Sequence, residues 1–178
     1  MKFFICSDIH GSEFFCKKTV KAFIKSKADK LIILGDVLYH GPRNDLPKGY
    51  NPKAVIELLN PLKNKILCVR GNCDAEVDQM VLDFPILATY AVLNADNKTF
   101  YLTHGHHLDE IEAEKDDVIL YGHTHIPEFE KKENGVFINC GSVSIPKENS
   151  PHSYIIFENN KFDFYDLEKD EVYQSKEL

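Results

Sequence analysis

Apolar positions in the first half of the chain alternate between compact runs and helical stripes. Residues 2–7, 30–34 and 65–70 are short runs rich in Phe, Ile, Leu and Val, each read as a strand. Glycines 35 and 71 follow the second and third runs. Between the first two, residues 12–27 place Phe15, Thr19, Val20, Phe23 and Ile24 at helical spacing, with lysines on the other face. Ser12 suits the N-cap, and Glu13 suits the first turn, where the helix dipole favours a carboxylate. Pro52 suits the first position of a second helix carrying Val55, Ile56, Leu58, Leu59 and Leu62. Residues 36–51 read as a loop rich in Gly, Pro, Asn and Asp, and residues 75–82 as a short third helix. Strand–helix–strand–helix–strand predicts parallel pairing with helical crossovers.

The second half lacks helical stripes. Short strands are predicted at residues 86–93, 99–103, 118–121, 136–139, 153–158 and 161–166. Glu133-Asn134-Gly135 and Asn159-Asn160 read as tight turns, the latter closing a terminal antiparallel hairpin. The tail beyond Tyr173 reads as frayed. With no linker, repeat or low-complexity tract, residues 1–178 read as a single α/β domain.

A chain of 178 residues should expose ~8,800 Å² when folded, which leaves room for a core without disulfide or zinc staples. Lys and Arg number 21 against 28 Asp and Glu, a net charge of −7. Such a surface repels a phosphate backbone, so coating of long nucleic acid is not expected, and a phosphate substrate needs a local positive centre. No apolar run approaches the ~20 residues of a membrane span. The N-terminal MKFFICSDIHG meets an Asp too soon for a signal peptide. The 5 cysteines are odd in number and form no CxxC pair, which points away from disulfides and thiolate zinc and toward a reducing cytoplasm.

The chemistry sits where predicted strands end. In order come Asp8-Ile9-His10, Gly35-Asp36, Gly71-Asn72-Cys73-Asp74, His104-Gly105-His106 and Gly122-His123-Thr124-His125. Strand ends at one edge of an α/β sheet are where ligand sites assemble. Carboxylate, imidazole and amide oxygen suit octahedral or five-coordinate first-row dications, with no thiolate needed.

The series DxH, GD, GN, HGH and GHTH resembles that of the calcineurin-like metallophosphoesterases. GDVLYHGPRNDLPKGY, VRGNCDAEVDQM and GSVSIPK narrow the resemblance to the YfcE-type phosphodiesterases. It spans about residues 1–157 and implies a four-layer α/β/β/α sandwich of two mixed sheets flanked by helices. It also implies two divalent metal ions, Mn²⁺ first with Ni²⁺, Zn²⁺ and Fe²⁺ as alternatives. One would be held by Asp8, His10, Asp36 and His125, the other by Asp36, Asn72, His104 and His123. Two dications against two carboxylates leave the site positive inside an acidic protein. A bridging hydroxide would attack the phosphorus of a small phosphodiester. Asp36, Asn72, Cys73 and His106 are the expected catalytic residues, and a homo-oligomer is the expected assembly.

Cys73 departs from the histidine that many members carry after Gly-Asn. A thiol, with an ordinary pKa near ~8.5, protonates a leaving oxygen poorly, so diesters with good leaving groups are favoured over alkyl monoesters. Asp74 reads first as the cap of the following helix, with orienting a ligand histidine as the alternative. The resemblance puts His106 near the metals, either in contact with phosphate or behind the ligands, and His40, Arg43 and Arg70 are candidates to lean over the site. His107 and His152 read as solvated. Asn139, Cys140, Gly141 and Ser142 resemble the family's Asn-Pro-Gly-Ser turn and read as packing behind the His123/His125 loop. Some relatives on this fold are protein-binding scaffolds whose ligand positions have turned apolar, and here none of the seven is lost. A monophosphatase would want histidine at position 73 and a larger insertion, and a nuclease a nucleic-acid-binding appendage.

Overall fold

The computed structural model describes residues 1–178. Its exposed surface is 8749 Å², against the ~8,800 Å² expected from chain length. Three parallel strands, β1 (Phe3–Cys6), β2 (Lys30–Ile33) and β3 (Ile66–Cys68), are joined by helices α1 (Glu13–Ser26) and α2 (Pro52–Leu59) as right-handed geometry favours. The Ser12 hydroxyl caps α1 by accepting the Phe15 N–H at 3.2 Å, and Pro52 opens α2 behind Asn51. Three antiparallel strands extend this sheet, in the order β11-β10-β9-β1-β2-β3: β9 (Ser153–Glu158), β10 (Lys161–Asp166) and β11 (Glu171–Glu177). Asn159 and Asn160, at φ 53° and 60°, make the β9–β10 turn, the primed geometry that Asn tolerates.

The second sheet has the order β4-β5-β6-β8-β7. It comprises β4 (Tyr90–Ala95), β5 (Lys98–Thr103), β6 (Val118–Tyr121), β7 (Pro127–Lys132) and β8 (Gly135–Cys140), with β5, β6 and β8 parallel. Alternation sends Phe3 and Ile5 of β1 into the space between the sheets, with Phe100, Leu120, Ile138 and Phe157. Phe4 and Cys6, on the other face, pack under α1 and α2. The far side of the second sheet carries no helix; a 3₁₀ turn (Leu108–Glu110) with Ile111 and Ala113 packs on Ile119, Tyr121 and Phe137. The expected four-layer order therefore holds with its last layer reduced to a turn and loop. No helix is long and apolar enough to cross a membrane.

Four elements differ from the sequence reading. The tail is not frayed, because β11 pairs along β10 as an edge strand. β7, with the sequence PEFEKK, carries too little apolar alternation to announce itself. The strand expected at 86–93 begins at Tyr90, since Ile86 is drawn into the helix-side core. The third helix shrinks to the single turn α3 (Glu76–Gln79), opened by the Asp78 carboxylate accepting the Ala75 N–H.

Candidate metal centre

Five loops, each leaving a strand end, converge on one point between the sheets. The loop after β1 brings Asp8 and His10, that after β2 Asp36, that after β3 Asn72, that after β5 His104, and that after β6 His123 and His125. Five of these residues have left-handed backbones: Asp8 (57°), His10 (49°), Asp36 (55°), His123 (66°) and His125 (63°). That conformation costs an ordinary L-residue ~1–2 kcal/mol, and Asp and His are among the types that tolerate it best. Cross-loop backbone bonds offset it, with the Asp8 N–H donating to Gly35 and the His10 N–H to Asp36. Strain concentrated in one place and held by its surroundings marks a functional site.

Three imidazoles are fixed from behind. Nδ1 of His10 lies 2.7 Å from the Tyr39 carbonyl, Nδ1 of His104 2.6 Å from that of Leu34, and Nδ1 of His125 2.6 Å from that of Ile145. A carbonyl only accepts, so each Nδ1 carries a hydrogen and each Nε2 is the nitrogen that faces inward. The carboxylates are divided the same way. Asp8 Oδ2 accepts the His123 N–H at 3.1 Å, and Asp36 Oδ1 accepts the Cys73 N–H at 2.7 Å. The remaining oxygens face the rings. Asp8 Oδ1 is 3.3 Å from His10 Nε2 and 3.1 Å from His125 Nε2, yet it is buried without a hydrogen bond. Asp36 Oδ2 is 3.7 Å from His10 Nε2 and 3.4 Å from His104 Nε2, facing both sets. Asn72 Oδ1 completes the second set, 3.0 Å from His104 Nε2 and 2.8 Å from His123 Nδ1.

Burial opposes ionisation of Asp8 most strongly, but the nearby His10, His104 and His125 rings outweigh it and hold the carboxyl well below its usual range. Burial likewise works against a charged His104, and its Asp36 hydrogen bond with the Asp8 and Asp36 charges lifts it to about 9. The protein alone thus holds protons where electron-rich atoms crowd. Folded His104 binds its proton more tightly than an unfolded histidine near ~6.5, so this pairing stabilises fully below that pH and is lost as pH rises through about 9. Metal-stripped protein should lose roughly 2–3 kcal/mol of unfolding free energy between pH 6.5 and 9. Metal uptake, which must displace the proton, should strengthen over the same interval. Denaturant unfolding with and without added Mn²⁺ across that range checks both signs.

Asp36, Asn72, His123 and His125 line a cleft of about 860 Å³ whose wall includes Arg43, Arg70 and Lys147. These supply positive charge in a chain of net charge −7. A family model for the calcineurin-like phosphoesterase superfamily domain matches residues 1–161.

The chain belongs to that superfamily. It is 47% identical over 163 residues to phosphodiesterase YfcE of Escherichia coli, covering 90% of this chain and 89% of the relative. The solved structure of YfcE from E. coli, described as a phosphoesterase, matches with a TM-score of 0.95 at 43% identity, covering 99% of each chain. Vacuolar protein sorting 29 from Cryptosporidium parvum shares the fold at a TM-score of 0.68 and 17% identity, covering 99% of this chain and 97% of its own.

On this superfamily frame several sequence expectations change. Asp74 does not cap the short helix. Its buried carboxylate accepts the N–H groups of Asp36 (2.8 Å), Val37 (2.8 Å) and Gly71 (2.7 Å), tying the Asp36 loop to the Asn72 loop. Asp74→Asn replaces one acceptor with a donor facing amide hydrogens, so metal affinity should fall about 10–100-fold, the scale of losing a group that orients ligands. Metal titration followed by calorimetry reads this directly.

His106 has no place in the cleft wall. Its ring sits 5.3 Å from that of His104 and 5.9 Å from that of His123, and burial with the His104, His107 and His123 charges pushes it down to about 4. It thus lies beside two candidate ligand rings, the second of the two places expected for it. His40 turns away, packing edge-on against Tyr39 and Tyr50, while Arg43 and Arg70 do line the cleft. His107 is exposed as expected, whereas His152 stacks on Phe15 at 3.9 Å and bonds the Val143 carbonyl at 2.9 Å. Asn139 braces the histidine loop through Gly122 and Thr124, and Ser142 and Ser144 both donate to the Asp8 carbonyl. Lys147 was not singled out by pattern; its one signal was its place at the end of GSVSIPK.

Proposed function

We propose that this chain hydrolyses phosphodiester bonds of small substrates at a dinuclear metal centre. Asp8, His10, Asp36 and His125 would hold one cation, and Asp36, Asn72, His104 and His123 the other, with Asp36 shared. The observation that carries this reading is the crowding of His10 Nε2 and His125 Nε2, 3.3 Å apart, around the unbonded Asp8 Oδ1. Imidazole and oxygen donors suit first-row dications, and the family resemblance puts Mn²⁺ ahead of Ni²⁺, Zn²⁺ and Fe²⁺. When bound, such a pair would supply a hydroxide nucleophile at neutral pH and would offset the charge on the phosphoryl oxygens.

The chain's own groups do the rest. Arg43, Arg70 and Lys147 draw a phosphate anion toward the donors. The rings of His10, His104 and His125 are held by backbone carbonyls, so little reorganisation accompanies the reaction. Cys73 Sγ lies within 4.8 Å of donor atoms of His10 and Asp36, and burial, then the Asp36 charge, pushes its thiol up to about 12. A thiol so weakly acidic gives up a proton reluctantly, which supports diesters with good leaving groups over alkyl monoesters. All five cysteines are free thiols, in keeping with a reducing cytoplasm.

Elemental metal content, and turnover of 4-nitrophenyl diesters and monoesters with Mn²⁺, Ni²⁺, Zn²⁺ or chelator, test the reading. Close to two dications per chain and chelator-sensitive diester cleavage are expected. Cys73→His should raise monoester turnover at least about tenfold, since a positioned general acid is worth ~10²–10⁴. Metal-independent turnover, or none with any metal, sinks it.

A further inference from the structure

Beside the metal cleft lies a second hollow of about 460 Å³, of opposite character. The two share Tyr39, Cys73 and Ala75 as a common wall. Beyond that wall the hollow is lined mostly by apolar side chains, among them Ile56 of α2 and Val77 and Val81 around α3. Its one charged side chain, Asp78, has a carboxylate oxygen engaged by the Ala75 N–H at 2.8 Å.

The dividing residue sits at the chemistry, because Cys73 Sγ is within 4.8 Å of donor atoms of Asp36 and His10. A phosphorus atom held by those donors therefore has one exit into the cationic cleft and another, past Cys73, into the apolar hollow. A phosphodiester has two arms, and the site offers each a different surface. Apolar area also remains uncovered there: Val77 is 62% exposed, Val81 43% and Tyr39 42%. A concave apolar patch opening onto convergent polar groups is the usual form of a small-molecule site.

We infer that the hollow seats one ester arm of the substrate, and that this arm is an uncharged, apolar group about the size of an aromatic ring. The inference rests on the phosphodiesterase reading and adds the class of substrate. The cationic cleft takes the phosphoryl charge and the more polar arm, so specificity comes from the Cys73 side.

Competitive inhibition of 4-nitrophenyl diester cleavage by inorganic phosphate, methylphosphonate and phenylphosphonate, with Mn²⁺-loaded protein, separates the parts. Phenylphosphonate should inhibit about tenfold more strongly than methylphosphonate, the scale of burying part of one ring. Val77→Asn and Ile56→Asn should each shrink that ratio to about twofold or less, with phosphate inhibition retained. Val172→Asn, on the distant edge strand β11, should leave the ratio unchanged. A wild-type ratio near one, or one unmoved by both hollow variants, overturns the inference while leaving the hydrolase reading intact. Size-exclusion runs alongside; if Val77→Asn splits an oligomer without moving the ratio, a second copy of the chain owns the hollow and the inference falls. If no anion inhibits and no metal supports cleavage, the phosphodiesterase reading itself has failed.

Discussion

Asp36→Asn is expected to lower diester turnover by at least about 10²–10³-fold, the scale of losing one preorganised electrostatic contact. The substitution is close to isosteric, so the effect comes from charge and hydrogens. The amide oxygen can still accept the Cys73 N–H where Asp36 Oδ1 now does at 2.7 Å. In place of Oδ2, however, an amide group would aim its hydrogens at His104 Nε2, now 3.4 Å away, and toward His10 Nε2, now 3.7 Å away. Two sets of donors lose their common anion together. Metal content should drop from near two dications per chain to one or fewer, while far-ultraviolet circular dichroism stays that of the folded protein. A variant with full turnover and full metal content would remove Asp36 from the centre.

Gly71→Ala should be as damaging, through packing instead of charge. A Cβ on Gly71 would stand 2.0 Å from Asp36 Oδ1 and 2.3 Å from the Asp36 backbone nitrogen. Neither is the loose end of a flexible side chain. Asp36 is held left-handed, and its N–H is bonded to Asp74 at 2.8 Å, so relief requires the loops to part. Overpacking of a fixed core costs ~1–3 kcal/mol, and here the cost falls on the ligand loops themselves. A stability loss of roughly 2–3 kcal/mol in denaturant unfolding, with loss of metal binding, is the expected pair of results. Wild-type values for both would show that the Asp36 and Asn72 loops yield more easily than their contacts indicate.

The two kinds of information in this chain separate by range. The α1 cap at Ser12, the start of α2 at Pro52 and the Asn159-Asn160 turn depend on neighbours a few residues away, and all stood in the sequence. Edge strands β7 and β11 did not, because they are stabilised by pairing with β8 and β10 while their side chains stay largely in water. Periodicity reports burial, and these strands bury little. The cap reading of Asp74 failed for a related reason: an Asp before a helical stretch reads as a cap, and two of its three actual N–H partners come only with the approach of the Asp36 loop.

By itself the sequence singled out the candidate ligands, since Asp8, His10, Asp36, Asn72, His104, His123 and His125 each stand in a polar cluster after an apolar run. Tertiary structure decided how they are held. Carbonyls of Leu34, Tyr39 and Ile145 choose the tautomers, and every residue has a carbonyl, so no letter in the sequence marks them. Left-handed backbones at five of those seven positions, and an apolar hollow drawn from two helices behind Cys73, likewise arise only when distant segments meet. Local forces write themselves into adjacent residues; the proposed cation site depends on contacts between loops up to 115 residues apart, which the order of residues does not display.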